Sequence, residues 1–240
     1  MKKRIFEKLL KTISTILLIF ATIFLTIWII DSNNITDISK EILKTSEIKK
    51  DEKSNTISVN FDNLTNINKD TVGWLSITNT NISYPVVQSK DNEHYLTHNF
   101  YNEKSDSGWL FADYRNNFSP LNQNIIIYGH NRIENTMFGT LKNLLKEEWY
   151  TKDQTIHFNT LNKKMTFKVF SIYTIKAEEF IPTTSYTQEE LNKFIDSALE
   201  KSIYNFNINT DNTNTIITLY TCTNNNKDRI IIHAKKLYQE

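Results

Sequence analysis

An uncharged run near the N-terminus is the most extended hydrophobic pattern in the chain. No residue from Ile13 to Ile30 is charged. A helix of that length spans roughly 27 Å, close to the hydrocarbon thickness of a bilayer. The preceding residues hold one acid, Glu7, and a group of basic side chains: Lys2, Lys3, Arg4, Lys8 and Lys11. Because basic residues stay on the cytoplasmic side, the pattern predicts a cytoplasmic segment over 1–12, a transmembrane signal anchor over 13–30 and an external remainder.

Two other interpretations of this run fit its residues less well. A cleaved signal peptide has a shorter apolar region that ends in small residues at an Ala-x-Ala-like site. Here the run ends in the bulky sequence Thr26-Ile-Trp-Ile-Ile30. A core helix of a soluble domain fits less well still, since this run has no polar face. The residues therefore favour an uncleaved anchor.

The next segment, 31–60, is polar and charged and is predicted to be a linker. One short amphipathic helix is predicted within it by four apolar side chains at helical spacing: Ile35, Ile38, Ile42 and Leu43. The stretch Lys49-Lys-Asp-Glu-Lys-Ser54 is typical of a solvated spacer. A further helical turn or two is predicted by Phe61, Leu64 and Ile67.

Beyond residue 70 the apolar pattern changes to short β-rich runs bounded by polar turns. These runs are 72–77, 82–87, 108–112, 124–128, 155–158, 164–175 and the two that flank Cys222. About eight strands at this spacing predict a mainly β fold, a closed barrel or a sandwich. Two helices interrupt them, one over 137–148 and one over 187–204. The second opens with the capping box Thr187-Gln-Glu-Glu190.

Composition narrows the functional classes. A chain of 240 residues has room for one sizeable domain and an appendage. Its 28 basic and 27 acidic side chains leave a formal charge of +1, which gives no electrostatic footprint for nucleic acid. Only 4 glycines and 3 prolines argue against a low-complexity or collagen-like chain.

Cys222 is the one cysteine in the sequence and the first candidate for chemistry. It ends the run that starts at Thr215, and Arg229 opens the next run, so a strand, a short loop and a strand would bring thiol and guanidinium together. A single cysteine cannot form an internal disulfide, and an unpaired thiol is unusual outside the membrane. The alternatives are a small buried residue at a strand end and a surface arginine beside Asp228.

His130 is the histidine best placed to serve a nucleophilic thiol, which needs a partner that exchanges protons. It follows the apolar run 125–128 and Gly129. It is therefore predicted just past a strand end, where a scaffold presents side chains to a cleft. The alternative is an ordinary loop histidine. Asp113 and Asp228 are acids that could orient it, and the sequence does not choose between them.

The other histidines have less specific surroundings. His94 and His98 are four residues apart, as two ligands on one helical face would be, but no third ligand stands at a telling spacing. No metal site is therefore predicted. His157 and His233 fall within predicted strands, where structural roles are expected.

Three segments, in order along the chain, carry a resemblance to one enzyme family. They are Ile127-Tyr-Gly-His-Asn131 with Met137-Phe-Gly-Thr-Leu-Lys142 after it, Thr218-Leu-Tyr-Thr-Cys222, and Arg229-Ile-Ile-Ile-His-Ala-Lys235. They resemble the histidine segment, the Thr-Leu-x-Thr-Cys signature and the arginine strand of the class B sortases. Further similar segments are Asp70-Thr-Val-Gly-Trp-Leu75, Ile82-Ser-Tyr-Pro-Val-Val-Gln88 and Asp91-Asn-Glu-His-Tyr-Leu96. The resemblance covers roughly residues 61–236.

This resemblance implies a fold and a set of site residues. The fold is an eight-stranded sortase-type β-barrel with N-terminal helices and a long helix between the penultimate strands, in a catalytic domain over 61–240. Cys222 would be the nucleophile, His130 the general acid/base, and Arg229 the group that binds the substrate carbonyl and stabilises the oxyanion. The residues expected to line the substrate groove are Asn92, Leu96, Tyr128, Tyr220, Thr221 and Ile181, the last in a wall formed by 181–184.

Two positions depart from the class B pattern. Tyr220 stands where class B members often carry serine, and Thr223 stands where they often carry glutamate. The phenol is expected near the groove or outside the barrel. Neither change removes a catalytic group.

The resemblance also implies a function. It is that of a membrane-anchored cysteine transpeptidase, which cleaves a C-terminal sorting signal after threonine through a thioacyl intermediate and transfers the protein to a peptidoglycan amine. The implied partners are secreted proteins with an Asn-Pro-x-Thr-like or Pro-x-Thr-Gly-like pentapeptide and a wall precursor or cross-bridge amine, with no cofactor. The implied location is the plasma membrane, in a single pass with the catalytic domain outside. Two alternatives remain, a membrane-anchored cysteine protease and a non-catalytic wall-binding module.

Overall fold

The computed structural model describes residues 2–51, 56–150, 155–179, 183–223 and 227–237. Its first element is one long helix, α1 (Lys2–Thr45). No glycine or proline occurs in that range, so no residue interrupts the backbone hydrogen-bond ladder. Within the described ranges, α1 is the one helix long and apolar enough to cross a bilayer, with a mean hydropathy of 2.6 over its most apolar window.

The C-terminal part of α1 contains the short amphipathic helix predicted for the linker. No break separates it from the apolar run, because the chain has no helix-breaking residue near Asp31. Ile35 and Ile42 are each only 1% exposed and pack against the barrel, whereas Leu43 faces solvent. The long helix that contains the apolar run is therefore docked on the folded domain by its last turns.

A small ribbon and a second helix lead into the barrel. β1 (Lys49–Asp51) and β2 (Thr56–Ser58) pair in antiparallel fashion, so part of the predicted spacer is a strand. α2 (Phe61–Ile67) confirms the predicted helical turns. It begins after Asn60, whose side chain accepts a hydrogen bond from the Asn63 backbone N–H, as expected for an N-cap.

In the described part of the chain, eight strands close a barrel in the order β10-β8-β7-β3-β4-β5-β6-β9. Neighbouring strands are antiparallel except for the β4–β5 and β6–β9 pairs, which are parallel. This architecture confirms the predicted fold. The strands are β3 (Thr71–Ile77), β4 (Ser83–Val87), β5 (Phe111–Ala112), β6 (Asn124–Tyr128), β7 (Thr155–Thr160), β8 (Lys164–Lys176), β9 (Ile216–Cys222) and β10 (Asp228–Leu237).

The barrel buries apolar side chains on both faces of β10. Ile230 and Ile232 point into the barrel core, and Ile231 between them packs outside with Phe170 and Tyr173. This division follows from the two-residue period of a strand. The outer cluster is covered by the predicted long helix, α4 (Gln188–Lys201). A shorter helix, α3 (Glu147–Tyr150), precedes it in the chain. The capping box of α4 is present as predicted.

The prediction of a helix over 137–148 is wrong. Met137 has a positive φ of 50°, and the Phe138 backbone N–H donates to the His130 carbonyl, so this segment folds back on the loop before it. A 3₁₀ turn, Leu141–Leu145, follows instead. Phe138, Leu141 and Leu144, three apolar residues at helical spacing in this range, are nevertheless buried, because the 3₁₀ turn and the segment before it direct these side chains into the core.

Candidate active site

Cys222 and Arg229 occupy the facing ends of β9 and β10. They are paired directly in the antiparallel register of these strands. The Thr223 backbone N–H donates to the Asp228 carbonyl at 2.9 Å and closes the connection between them. Cys222 carries a free thiol and is partly exposed, as is Arg229. The two predicted strands are therefore present, and their paired ends bring the thiol and the guanidinium together.

The parallel pairing of β6 with β9 brings His130 to the same end of the barrel. Tyr128 is paired with Tyr220, and two further residues along each parallel strand lead to His130 and Cys222. The contact continues past β6, because Thr221 Oγ1 donates to the Gly129 carbonyl at 2.7 Å. Gly129 is required there, since a Cβ at this position would lie 2.8 Å from Phe138.

A single hydrogen bond defines the orientation of the His130 ring. Its Nε2 lies 2.8 Å from the Leu96 carbonyl oxygen. A carbonyl only accepts, so Nε2 carries a proton. Nδ1 is then the ring nitrogen left to exchange a proton with a thiol or an amine.

The side chains of Cys222, His130 and Arg229 line one cavity of about 330 Å³. It contains the predicted catalytic residues and five of the six predicted groove residues. Its lining residues are Asn92, Leu96, Phe111, Tyr128, Gly129, His130, Tyr220, Thr221, Cys222 and Arg229. Phe111 was not predicted to line the cavity, because the sequence places it only within the predicted strand 108–112.

Of the wall predicted over 181–184, the structure describes residues 183 and 184, and these two do not line the cavity. Ile181 lies outside the described residues. Thr183 and Thr184 contact Asn124, at the opposite end of β6 from the histidine, where their carbonyls accept the Asn124 side-chain and backbone N–H groups.

Aromatic rings form one side of the cavity. Tyr128 stacks on Phe111 with centroids 5.2 Å apart and meets Tyr220 edge to face at 5.3 Å. The Arg229 guanidinium carbon lies 5.9 Å from the Tyr220 ring centroid, within cation–π range. Of the two positions expected for the Tyr220 phenol, the structure has the one beside the groove.

Asp113, one of the two acids that could have oriented His130, instead binds two groove residues, Tyr128 and Asn92. Its buried carboxylate accepts two hydrogen bonds from the Arg115 guanidinium, at 2.8 and 2.7 Å. It also accepts from the Tyr128 hydroxyl at 2.8 Å and from Asn92 Nδ2 at 3.0 Å. Burial alone would raise the pKa of Asp113, but these donors outweigh it and hold the pKa below its usual value. Asp113 thus orients two groove residues rather than the imidazole.

The hydrogen-bond directions fix what these two groove residues offer to a ligand. The Tyr128 hydroxyl proton is used on Asp113, so its oxygen remains an acceptor. Burial, and next the Asp113 charge, raise the pKa of Tyr128, so the phenol stays neutral. Asn92 accepts the Tyr114 backbone N–H at its own oxygen and gives one amide hydrogen to Asp113. Its second amide hydrogen remains as a donor.

The remaining histidines lie elsewhere. The His94 and His98 rings stack with centroids 4.2 Å apart at the turn His94–Leu96, and His94 Nε2 contacts Asn102. His157 is buried in β7. His233 is fully buried between Tyr173 and Thr218 in β10, in agreement with its expected structural role.

A thiol, an imidazole and a guanidinium around one open cavity are the groups needed for cysteine-dependent acyl transfer on a closed β-barrel. The family model for the sortase domain matches residues 75–237. The chain therefore belongs to the sortase family.

The similar proteins narrow this assignment to class B. Sortase B of Staphylococcus aureus is 37% identical over 179 residues, which cover 73% of each chain. Sortase B of Listeria monocytogenes is 34% identical over 176 residues, 72% of each. The crystal structure of Bacillus anthracis sortase B in complex with AAEK1 superposes with a TM-score of 0.75 at 32% identity, covering 88% of this chain and 100% of that one. The chain is accordingly a sortase transpeptidase, an enzyme class that acts on sorting-signal substrates and cell-wall precursors.

Proposed function

We propose that this chain is a membrane-anchored class B sortase in which Cys222 is the nucleophile, His130 the general acid/base and Arg229 the oxyanion-binding group. The observation that carries the proposal is the shared cavity, which is lined by His130, two residues past the end of β6, and by Cys222 and Arg229 at the paired ends of β9 and β10. All three come from strand ends of one closed barrel, so their relative positions are set by backbone hydrogen bonds.

The first half of the reaction forms a thioester. The Cys222 sulfur, as thiolate, attacks the carbonyl carbon of the threonine in the sorting signal. Arg229 and nearby backbone N–H groups stabilise the oxyanion that develops. When the C–N bond breaks, protonated His130 gives its proton to the departing amine.

The second half transfers the acyl group. An amine of a peptidoglycan precursor or cross-bridge attacks the thioester carbonyl and gives a proton to His130. The C–S bond breaks, and Cys222 returns as the thiolate. One amide bond is broken and one is formed, so the reaction needs no redox partner or metal. Its two half-reactions follow ping-pong kinetics.

The sorting signal lies extended in the groove formed by Asn92, Leu96, Tyr128, Tyr220 and Thr221, with Ile181 as a further contact. The amide hydrogen of Asn92 and the phenol oxygen of Tyr128 provide one donor and one acceptor for the peptide backbone. The ligands are pentapeptides of the Asn-Pro-x-Thr or Pro-x-Thr-Gly type at the C-termini of secreted proteins.

The apolar part of α1 anchors the enzyme to the plasma membrane. Residues 1–12 lie in the cytoplasm, 13–30 span the bilayer, 31–60 connect and 61–240 form the external catalytic domain. Support comes from the uncharged, exposed segment 13–30 of α1 and from the basic residues before it. Substrate and wall precursor both reach the outer membrane face, so the anchor keeps enzyme and reactants together.

A product assay tests this function on the full chain in detergent micelles. The wild type is incubated with libraries of both pentapeptide types, with and without hydroxylamine as the amine. We expect hydroxamate products that form faster than free acid, and none with Cys222→Ala. Free acid alone would instead indicate the protease alternative. Full turnover by Cys222→Ala would remove the thiol from the mechanism.

A labelling assay tests the alternative of a non-catalytic binding module. Because Cys222 is the one cysteine, phenyl vinyl sulfone alkylates a single position. We expect rapid alkylation that a turned-over pentapeptide slows. A thiol that stays inert in the folded wild type, but reacts after unfolding, would favour the binding module.

A further inference from the structure

Asp31 connects the long N-terminal helix to the catalytic barrel. It is the first charged residue after the apolar run, and its carboxylate is directed into the domain with only 18% of the side chain exposed. Oδ1 accepts a hydrogen bond from Ser105 Oγ at 2.8 Å, and Oδ2 accepts one from Ser107 Oγ at 2.7 Å. Arg132 Nη2 lies 3.5 Å from Oδ2.

The partners of Asp31 come from two loops that lie near His130. A half-buried carboxylate needs donors to offset the loss of hydration, and Asp31 takes them from two different loops. Ser105 and Ser107 lie in the loop before β5, and Arg132 lies two residues after the proposed general acid/base. Arg132 also pairs with Glu134 at 2.6 Å, which fixes its guanidinium between the two acids.

The loop held by Asp31 supports the turn that holds the imidazole. The Ser105 backbone N–H donates to the Thr97 carbonyl at 2.9 Å, and the Trp109 N–H donates to the Tyr95 carbonyl at 2.9 Å. Between these two bonds lies Leu96, whose carbonyl accepts His130 Nε2–H. Two hydrogen bonds therefore link the carboxylate to Thr97, the chain neighbour of the residue that orients the ring.

Gly108 brings the same loop into direct contact with the imidazole. It has a φ of 55°, and a Cβ there would lie 2.9 Å from His130 Cδ2 and 2.8 Å from the Leu96 oxygen. The loop thus passes beneath the ring without space between them. A shift of Ser107, the residue before Gly108, would move both contacts.

We propose that Asp31 is a positioning residue for His130, through which the anchor helix sets the geometry of the catalytic histidine. The proposal rests on the assigned role of His130. Misplacement of a reacting group by about 1 Å costs up to about 10²-fold in rate. Release of the Ser105 and Ser107 hydroxyls is therefore expected to slow the chemistry more than it weakens peptide binding, because the polar groove residues Asn92 and Tyr128 are held separately by Asp113.

The test uses the full chain in detergent micelles with the variants Asp31→Ala and Asp31→Asn. Asp37→Ala is the matched control, since Asp37 lies on the same helix but is exposed and pairs only with the exposed Lys40 among the interactions described. The measurements are the alkylation rate of Cys222 by phenyl vinyl sulfone, and kcat and KM for hydroxylaminolysis of the fastest library pentapeptide. We expect Asp31→Ala to lower kcat by about 10-fold or more with KM nearly unchanged, Asp31→Asn to lie between it and wild type, and Asp37→Ala to match wild type.

Two controls separate the possible outcomes. Thermal melting identifies variants that fail to fold, and Asp31→Asn keeps the shape of the side chain if Asp31→Ala unfolds. Combined with Ser107→Ala, Asp31→Ala should cost little more than Asp31→Ala alone, since the first change already breaks the bond between the two side chains. An Asp31→Ala rate equal to wild type, or a change confined to KM, overturns the proposal. If His130→Ala itself leaves alkylation and turnover unchanged, the assigned role of His130 is what fails.

Discussion

Cys222 and Arg229 are direct cross-strand neighbours on the last two strands of the barrel. Opposed residues of an antiparallel pair project from the same face with Cβ atoms about 5 Å apart. A slip of one residue in this register would send one of the two side chains to the other face. The pairing is thus a structural reason why the thiol and the guanidinium face the same cavity.

Replacement of Arg229 by lysine separates charge from shape. Arg229→Lys keeps a positive charge but loses the planar fork and the flat surface over Tyr220. We expect Arg229→Ala to lower kcat by about 10²–10³-fold, the cost of one oxyanion donor. Arg229→Lys should fall between this value and wild type. Steady-state kinetics on the library pentapeptide measures both, and near-normal turnover of Arg229→Ala would refute the oxyanion role.

Tyr220 is predicted to set substrate preference. Its ring contacts both Tyr128 and Arg229 at the edge of the cavity. Tyr220→Ser removes this surface and opens space beside the groove, whereas Tyr220→Phe keeps the ring. We expect the serine variant to change the ratio of kcat/KM between pentapeptides by about 10-fold, as for other changes in pocket size, and the phenylalanine variant to keep the wild-type order. Parallel library screens would decide, and identical preferences in all three proteins would show that the ring does not select substrates.

Asp113 is predicted to matter for peptide binding and for stability. Asp113→Asn turns one acceptor oxygen into a donor that faces the donors of Arg115 and Tyr128. An unsatisfied buried polar group costs about 1–3 kcal/mol, so the free energy of unfolding should fall by that amount. KM should rise more than kcat falls, because Asn92 and Tyr128 lose their orientation.

A double variant checks the route of this effect. Asp113→Asn combined with Tyr128→Phe should raise KM less than the sum of the single effects in free energy, since one hydrogen bond joins the two residues. Asp211→Asn, at an exposed position, is the matched control for loss of charge. Strict additivity would mean that Asp113 does not act through Tyr128.

The sequence was sufficient to predict that Cys222, Arg229 and His130 come together, because each lies at or just past the end of a recognisable strand. The apolar runs before His130 and Cys222, and the run after Arg229, are strands β6, β9 and β10. Backbone pairing then brings their ends together. Local pattern and long-range arrangement agree at these positions.

Interactions between distant segments were not predictable in the same way. The bonds from Asp31 to Ser105 and Ser107 join residues more than 70 positions apart, and no periodicity marks them. Asp113 was recognised as a nearby acid, but its partners depend on side-chain directions that a pattern does not encode. The helix predicted over 137–148 failed because tertiary contacts of Phe138 and Gly139 override helical spacing.

His233 is predicted to make the fold sensitive to acid. Thr218 Oγ1 donates to Asn124 Oδ1, so it accepts from His233 Nδ1–H, and Nε2 accepts from the Tyr173 hydroxyl. The ring is therefore neutral in a completed chain of hydrogen bonds. Burial, and to a smaller extent the Lys201 charge, lower the pKa of His233 to about 3.

The direction of the pH effect follows from this pKa. The ordinary histidine value is about 6.5, so between about 6.5 and 3 the unfolded chain binds a proton that the folded chain does not. Stability should fall as pH decreases through that range, by up to about 1.4 kcal/mol per pH unit from this group. His233→Gln, which does not titrate, should be less stable at pH 7 but lose less stability between pH 7 and 5 than wild type, while the surface variant His94→Gln should follow wild type. Denaturant unfolding at several pH values measures these slopes, and equal slopes for His233→Gln and wild type would show that His233 is not the group responsible.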